Sequence, residues 1–190
     1  MAKIFLVLGT PGAGKSTVLK GVKAADVLSI GTEMLNAYAE QLGVTDRDAL
    51  KKVVVADYAN TAAIRNSVLK SISGRSGVVV LDTHASVKAG NGYIPGLSPE
   101  DLVVLKKGTK AIIYIDAETN EIIRRRKEDK SRAREDDTAE VLDQHREINI
   151  ALTTTYSLYL EAPIYILKNG DGNLESTRKE VARIIDLFSK

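Results

Sequence analysis

Glycines at positions 9, 12 and 14, followed at once by a lysine and a serine, constrain this chain more than any other feature. The run Gly9-Thr10-Pro11-Gly12-Ala13-Gly14-Lys15-Ser16 has the spacing G-x-x-x-x-G-K-[ST] and follows directly on the apolar stretch Ile4-Phe5-Leu6-Val7-Leu8. A buried strand, a glycine-rich turn and a helix in that order turn several backbone N–H groups towards one anion. The positive end of the helix points the same way. Lys15 is expected to reach the β- and γ-phosphates of a nucleoside triphosphate, the Ser16 hydroxyl to hold Mg2+, and Thr17 to complete the binding segment.

Four more runs rich in Val, Ile and Leu stand at 27–30, 78–81, 111–115 and 164–167. Nearly continuous apolar character in runs this short fits parallel strands covered on both faces. Between them lie helical patterns. Thr32 is expected to cap a helix that Gly43 ends, Thr45 and Asp48 to form a capping box, and residues 55–73 to continue in helix. Ser98-Pro99-Glu100 and Thr138 open two further helices, the second stopped before Pro163, and the last runs from about Leu174. Strands alternating with helices predict an α/β three-layer fold, a doubly wound five-stranded parallel sheet forming a single domain over 1–190. Two insertions break the alternation: a helical one at 32–73 and a charged one at 124–137.

Composition narrows the partners. The formal charge of +2 gives no reason to expect nucleic acid, and the longest apolar runs are far too short for a membrane span. The absence of cysteine excludes disulfides and thiolate metal sites. With Met1-Ala2-Lys3 leading straight into a strand, the expectation is a soluble cytoplasmic protein without a signal peptide.

Further residues gather around the expected nucleotide. The strand Val78-Val79-Val80-Leu81 delivers Asp82 at its carboxyl end, where a carboxylate acts on Mg2+ or its waters. His84 and Lys88 follow, then a glycine-rich excursion from Gly90 to Leu97; His84 is a candidate for orienting substrate and Lys88 for phosphate contact. Gly31, beside Thr32, would let a ligand approach the backbone closely. Arg47 and Arg65 in the 32–73 insertion would meet a monophosphate. In the charged run, Lys127, Glu128 and Asp129 read as a solvated helix face, whereas Arg132 and Arg134 suit a closing lid that brings cations to the transferring phosphoryl group. After the last strand, Lys168-Asn169-Gly170-Asp171-Gly172 offers Asn169 and Gly170 near the base. Its order is not the Asn-Lys-x-Asp signature that reads guanine.

In this order the pieces resemble adenylate kinases of the archaeal type, a nucleoside monophosphate kinase family, over nearly the whole chain. The narrowest matches are Asp82-Thr83-His84-Ala85-Ser86-Val87-Lys88 and Gly92-Tyr93-Ile94-Pro95-Gly96-Leu97, with Ser29-Ile30-Gly31-Thr32-Glu33-Met34 and Arg47 also similar. The resemblance implies ATP + AMP ⇌ 2 ADP with Mg2+, AMP as the small-molecule partner, a homotrimer, and Arg132 and Arg134 as lid arginines. Arg134-Glu135-Asp136-Asp137 looks like the Arg-x-Asp-Asp lid element of adenylate kinases more broadly. Those families carry a further arginine on the helix after the lid; here the neighbourhood reads Asp143-Gln144-His145-Arg146-Glu147, which leaves Arg146 open for that role. Two rivals stay open at this level: a kinase for another nucleoside monophosphate, and a regulatory ATPase.

Overall fold

A computed structural model describes residues 1–23, 25–129 and 138–189. The first strand, β1 (Lys3–Leu8), lies at the middle of the main sheet and runs into the glycine loop and a short helix α1 (Lys15–Leu19). β2 (Asp26–Ser29) leads into α2 (Ile30–Leu42), α3 (Arg47–Ala56) and α4 (Tyr58–Ser73), and the chain returns through β3 (Val78–Asp82). A hairpin of β4 (Ser86–Ala89) and β5 (Gly92–Pro95) follows, then α5 (Pro99–Lys106), β6 (Thr109–Asp116), α6 (Thr119–Glu128), α7 (Ala139–Leu160), β7 (Ile164–Lys168) and α8 (Leu174–Ser189).

The five-stranded sheet has the order β2-β3-β1-β6-β7 and every pairing in it is parallel. Side chains alternate across each strand, and both faces are buried. Ile4, Leu6, Leu8, Val79, Leu81, Ile112 and Tyr114 pack with α2, α4, α5 and α7, while Phe5, Val7, Val80, Ile113 and Ile115 pack with α1, α6 and α8. Two covered faces explain why these strands read as apolar runs rather than as alternating ones. Among the described residues no helix is long and apolar enough to cross a membrane.

Helix ends show where local chemistry overrode the expected boundaries. The α2 helix begins at Ile30 with Ser29 at its N-cap, so Thr32 lies inside the first turn and exposed, and caps nothing. The cap of α3 is Asp46, whose Oδ1 accepts from the Asp48 and Ala49 N–H groups at 2.9 and 2.8 Å; Thr45 lies one residue too early. The expected continuous helix from 55 breaks at Asp57, which caps α4 through Asn60 N–H. Gly43 ends α2 at φ 64° as expected. Ser98 and Asp101 form the reciprocal box of α5, and Thr138 caps α7. The glycine-rich excursion is the β4–β5 hairpin, with Lys88 opposite Tyr93. Gly90 turns it at φ 58°, a left-handed position that glycine adopts without strain.

Candidate functional site

The carboxyl ends of parallel strands form the crevice where such sheets bind ligands. β1 is central, and the chain fills one side of it before crossing to the other, so the glycine loop sits where the strand order reverses. Two glycines in that loop are indispensable on steric grounds. Gly9 has φ 149° and a Cβ there would stand 2.1 Å from the Ile115 carbonyl oxygen. Gly14 has φ 90° and a Cβ would stand 2.4 Å from Asn169 Nδ2. That amide donates to the Ala13 carbonyl at 2.9 Å, so the segment after β7 braces the loop after β1.

Lys15 is 7 % exposed; its Nζ donates to the Gly9 carbonyl at 3.3 Å and stands 3.9 Å from Asp82 Oδ1. Register brings these together, because Asp82 at the end of β3 pairs with Val7 one residue before the end of β1. Asp82 Oδ1 is buried and accepts no hydrogen bond. The Lys15 ammonium at 3.9 Å is the cation that this oxygen faces. Ser16, exposed at the start of α1, supplies a second oxygen in the same loop. No group of three His, Asp or Glu residues that could hold a metal occurs among the described residues. A hydroxyl and a carboxylate are the hard oxygen donors that Mg2+ takes, so Ser16 and Asp82 fit it in donor chemistry.

The expected acceptor residues fall into two groups. Arg47, at the first position of α3, lays its guanidinium against Gly31: a Cβ on Gly31 would lie 3.1 Å from Arg47 Nη2. The missing side chain at 31 therefore makes room for the arginine. Lys88 projects from β4, and His84 lies between β3 and that hairpin. Arg65 has a structural partner. It is 4 % exposed, donates through Nε to Asp101 Oδ2 at 2.6 Å, and stands 5.5 Å from the centre of the Tyr58 ring. Its Nη2 is buried without a hydrogen bond.

Arg132 and Arg134 lie outside the described residues. Three arginines earlier in the charged run, to which the sequence reading gave no role, are engaged with the site. Arg126 donates to the Pro11 carbonyl through Nε at 3.0 Å and Nη2 at 2.7 Å. Arg125 Nη2 donates to the Asn169 carbonyl and to Asp171 Oδ1, both at 3.0 Å, and Arg124 pairs with the other Asp171 oxygen. These two guanidinium groups, Arg124 first, hold the Asp171 carboxyl below its usual range. Three consecutive helical residues fan out by about 100° each, so Arg124, Arg125 and Arg126 point in different directions from α6. Arg125, Gly14, Thr17, Asn169, Gly170 and Leu174 line a cavity of about 260 Å3 beside the loop, which brings Thr17, Asn169 and Gly170 together as expected.

At the end of β6, the buried Asp116 carboxylate accepts from Arg146 Nη2 at 2.5 Å and from Lys168 Nζ at 2.7 Å. The Asp116 hydrogen bond raises the Arg146 guanidinium further above its ordinary range. Arg146 thus reaches the nucleotide end of the sheet from α7. Two residues earlier on β6, the Tyr114 hydroxyl is 3.2 Å from Thr10 Oγ1. Burial pushes that phenol up to about 12.

This arrangement has known counterparts. The model of the AAA domain matches residues 8–143. An adenylate kinase of Thermoplasma acidophilum is 32 % identical over 186 residues, spanning 95 % of this chain and 97 % of the relative. The chain belongs to the adenylate kinase family. Adenylate kinases of Methanothermobacter thermautotrophicus (32 % identical, covering 97 % of this chain and 100 % of the relative) and Pyrococcus abyssi (31 %, covering 100 % and 98 %) agree. By architecture the chain is similar to a shikimate kinase from Bacteroides thetaiotaomicron, with a TM-score of 0.61 and 12 % identity over 96 % of this chain and 98 % of that one. At that identity the likeness concerns the fold alone. It supports the P-loop kinase architecture that the adenylate kinase family shares.

Proposed function

We infer that the chain catalyses reversible phosphoryl transfer from ATP to AMP, giving two ADP. The observation that carries this reading is full-length similarity to adenylate kinases joined to a phosphate loop in which Lys15 and the buried, unbonded Asp82 oxygen stand side by side. Residues 1–190 act as one kinase unit, with 32–73 as the monophosphate-binding insertion and 124–137 as the lid region. Cytoplasmic residence and assembly as a homotrimer belong to the same reading and rest on the family resemblance.

The chemistry asked of the protein is positioning and charge neutralisation, since a monophosphate oxygen is already a competent nucleophile at neutral pH. The loop from Gly9 to Thr17 holds the triphosphate through backbone N–H groups, and Lys15 neutralises the β- and γ-phosphates. Ser16 and Asp82 would hold Mg2+, which when bound would supply further charge neutralisation. Arg125, Asn169 and Gly170 frame the base and sugar of ATP. Gly31, Thr32, Arg47, Arg65, His84 and Lys88 form the acceptor side, and Arg132 and Arg134 close over the transferring group.

Two-substrate kinetics test the division into sides. Arg47→Ala and Lys88→Ala should raise the KM for AMP by about 10-fold or more, the scale of one lost charge-assisted phosphate contact, and leave the KM for ATP nearly unchanged. Equal increases in both Michaelis constants would contradict an acceptor site at α3 and the hairpin.

A further inference from the structure

The motif from Gly92 to Leu97 supplies the return strand of the hairpin that carries Lys88. Successive residues of a strand point to opposite faces, and directly opposed residues share a face. Ser86 and Lys88 therefore lie on one face of β4, and Tyr93, opposite Lys88, lies on that face too. α7 packs against it, and one buried side chain of that helix meets both strands. His145 Nε2 is 3.1 Å from Ser86 Oγ on β4, and the His145 ring packs on the Tyr93 ring of β5 with centroids 4.9 Å apart.

Neighbours on α7 secure both contacts. Asn149, one turn on, accepts through Oδ1 from Ser86 Oγ at 2.7 Å. A hydroxyl has a single proton, so Ser86 Oγ in turn accepts from the His145 Nε2–H. Gln144 Oε1 accepts from the Tyr93 hydroxyl at 3.2 Å. Ser86, His145 and Asn149 are at most 4 % exposed, whereas Lys88 and Tyr93 are half-buried. A lone two-stranded ribbon is marginal in water, so the direction of its arm is set by what it packs on. The root of the hairpin is tied elsewhere. The Tyr156 hydroxyl donates to the Ala85 carbonyl at 2.9 Å and accepts from Leu97 N–H at 3.2 Å, and Gly96 N–H donates to the same carbonyl at 2.8 Å. Loss of His145 thus leaves the root in place and frees the arm.

We propose that His145 is a positioning residue for the acceptor nucleotide. It holds Ser86, two residues before Lys88, and Tyr93, the residue opposite Lys88, and so fixes Lys88 from both strands and aims its ammonium at the acceptor phosphate. This rests on the assignment of Lys88 to the AMP side.

Initial-rate kinetics with AMP and ATP varied in turn test this on His145→Ala, Lys88→Ala and the double variant. His145→Ala should raise the KM for AMP by about 5-fold or more, the scale of one lost buried contact. The KM for ATP and the turnover at saturating AMP should stay within about 2-fold of wild type, the mark of lost substrate binding alone. In the Lys88→Ala background, His145→Ala should add almost nothing, because the group it aims is gone; independent effects would multiply. Tyr93→Ala removes the ring contact from the half-buried side and should raise the KM for AMP in the same selective way. It keeps the test decisive where thermal unfolding shows that His145→Ala does not fold. An unchanged KM for AMP in the folded variants, an equal rise for both substrates, or full multiplication with Lys88→Ala would overturn the proposal. A wild-type KM for AMP in Lys88→Ala would instead remove the acceptor assignment beneath it.

Discussion

Lys15 and Asp82 set the chemistry at the residue scale. Lys15→Ala removes the cation that faces the β- and γ-phosphates, and turnover should fall by about 100-fold or more, with far-UV circular dichroism unchanged. Near-normal turnover in the folded variant would remove the loop from the active site. Asp82→Asn keeps the shape and removes the charge, so the Mg2+ concentration for half-maximal rate should rise more than the Kd for nucleotide; an unchanged Mg2+ titration would make Asp82 a loop residue only. Two phenols act on stability. Burial raises Tyr114 and Tyr156 to about 12, above the value of an unfolded chain. Below that unfolded value both states keep the proton and the contribution is intact. Stability is then lost as pH rises from the unfolded value towards the folded one, because only the unfolded state releases the proton there. Tyr114→Phe and Tyr156→Phe should each make the alkaline limb of a stability profile shallower, and an unaltered slope would contradict their burial as protonated groups.

Single elements are held by polar groups that serve two neighbours at once. Asp101 is 0 % exposed; it accepts from Ser98 N–H at 2.8 Å to box the start of α5 and from Arg65 Nε at 2.6 Å on α4. Asp101→Ala therefore loses a cap and strands a buried guanidinium, and urea denaturation should show a loss of about 3–5 kcal/mol. A loss below about 1 kcal/mol, typical of an exposed pair, would mean that the pair is solvated. The lid role proposed for Arg132 and Arg134 is tested by Arg132→Lys and Arg134→Lys, which keep charge but lose the planar fork. Turnover should fall well beyond any rise in the Michaelis constants, with Lys127→Ala mild; equal effects at 127 and 134 would make the whole segment a diffuse basic surface. The same scale shows why parts of the site escaped sequence reading. Arg125 and Arg126 sit in a run whose charge count looks like a solvated face, and only the packing of α6 against the glycine loop selects two of its arginines. The hairpin was hidden because Ser86–Ala89 and Gly92–Pro95 are too short and too mixed to show alternation, and the turn at Gly90 supplies its geometry. Asp46 displaced Thr45 as a cap because its carboxylate spans two N–H groups.

Across the whole molecule, the legible features were those with a period or a rigid spacing. All five strands of the parallel sheet, the long helix α7 and the Lys15–Asp82 pair follow from apolar runs and from one eight-residue motif, because burial on both faces leaves a strand little compositional choice. Sequence alone does not display the joints between distant segments: Asn169 under Ala13, Arg126 on Pro11, and Ser86 between Asn149 and His145. Each depends on which strand ends become neighbours. Two of those joints brace the glycine loop, and the proposed function sets an acceptor side at α3 and the hairpin against it, to hold two nucleotides rather than one nucleotide and water. Phosphorus NMR of reactions containing Mg2+, ATP and, in turn, AMP, CMP, UMP, GMP or dTMP tests this most directly. The structure and its relatives predict that AMP gives the fastest reaction, with two ADP formed for each ATP consumed and little release of inorganic phosphate. Faster phosphorylation of another monophosphate, or phosphate release that outpaces ADP formation from AMP, would contradict it.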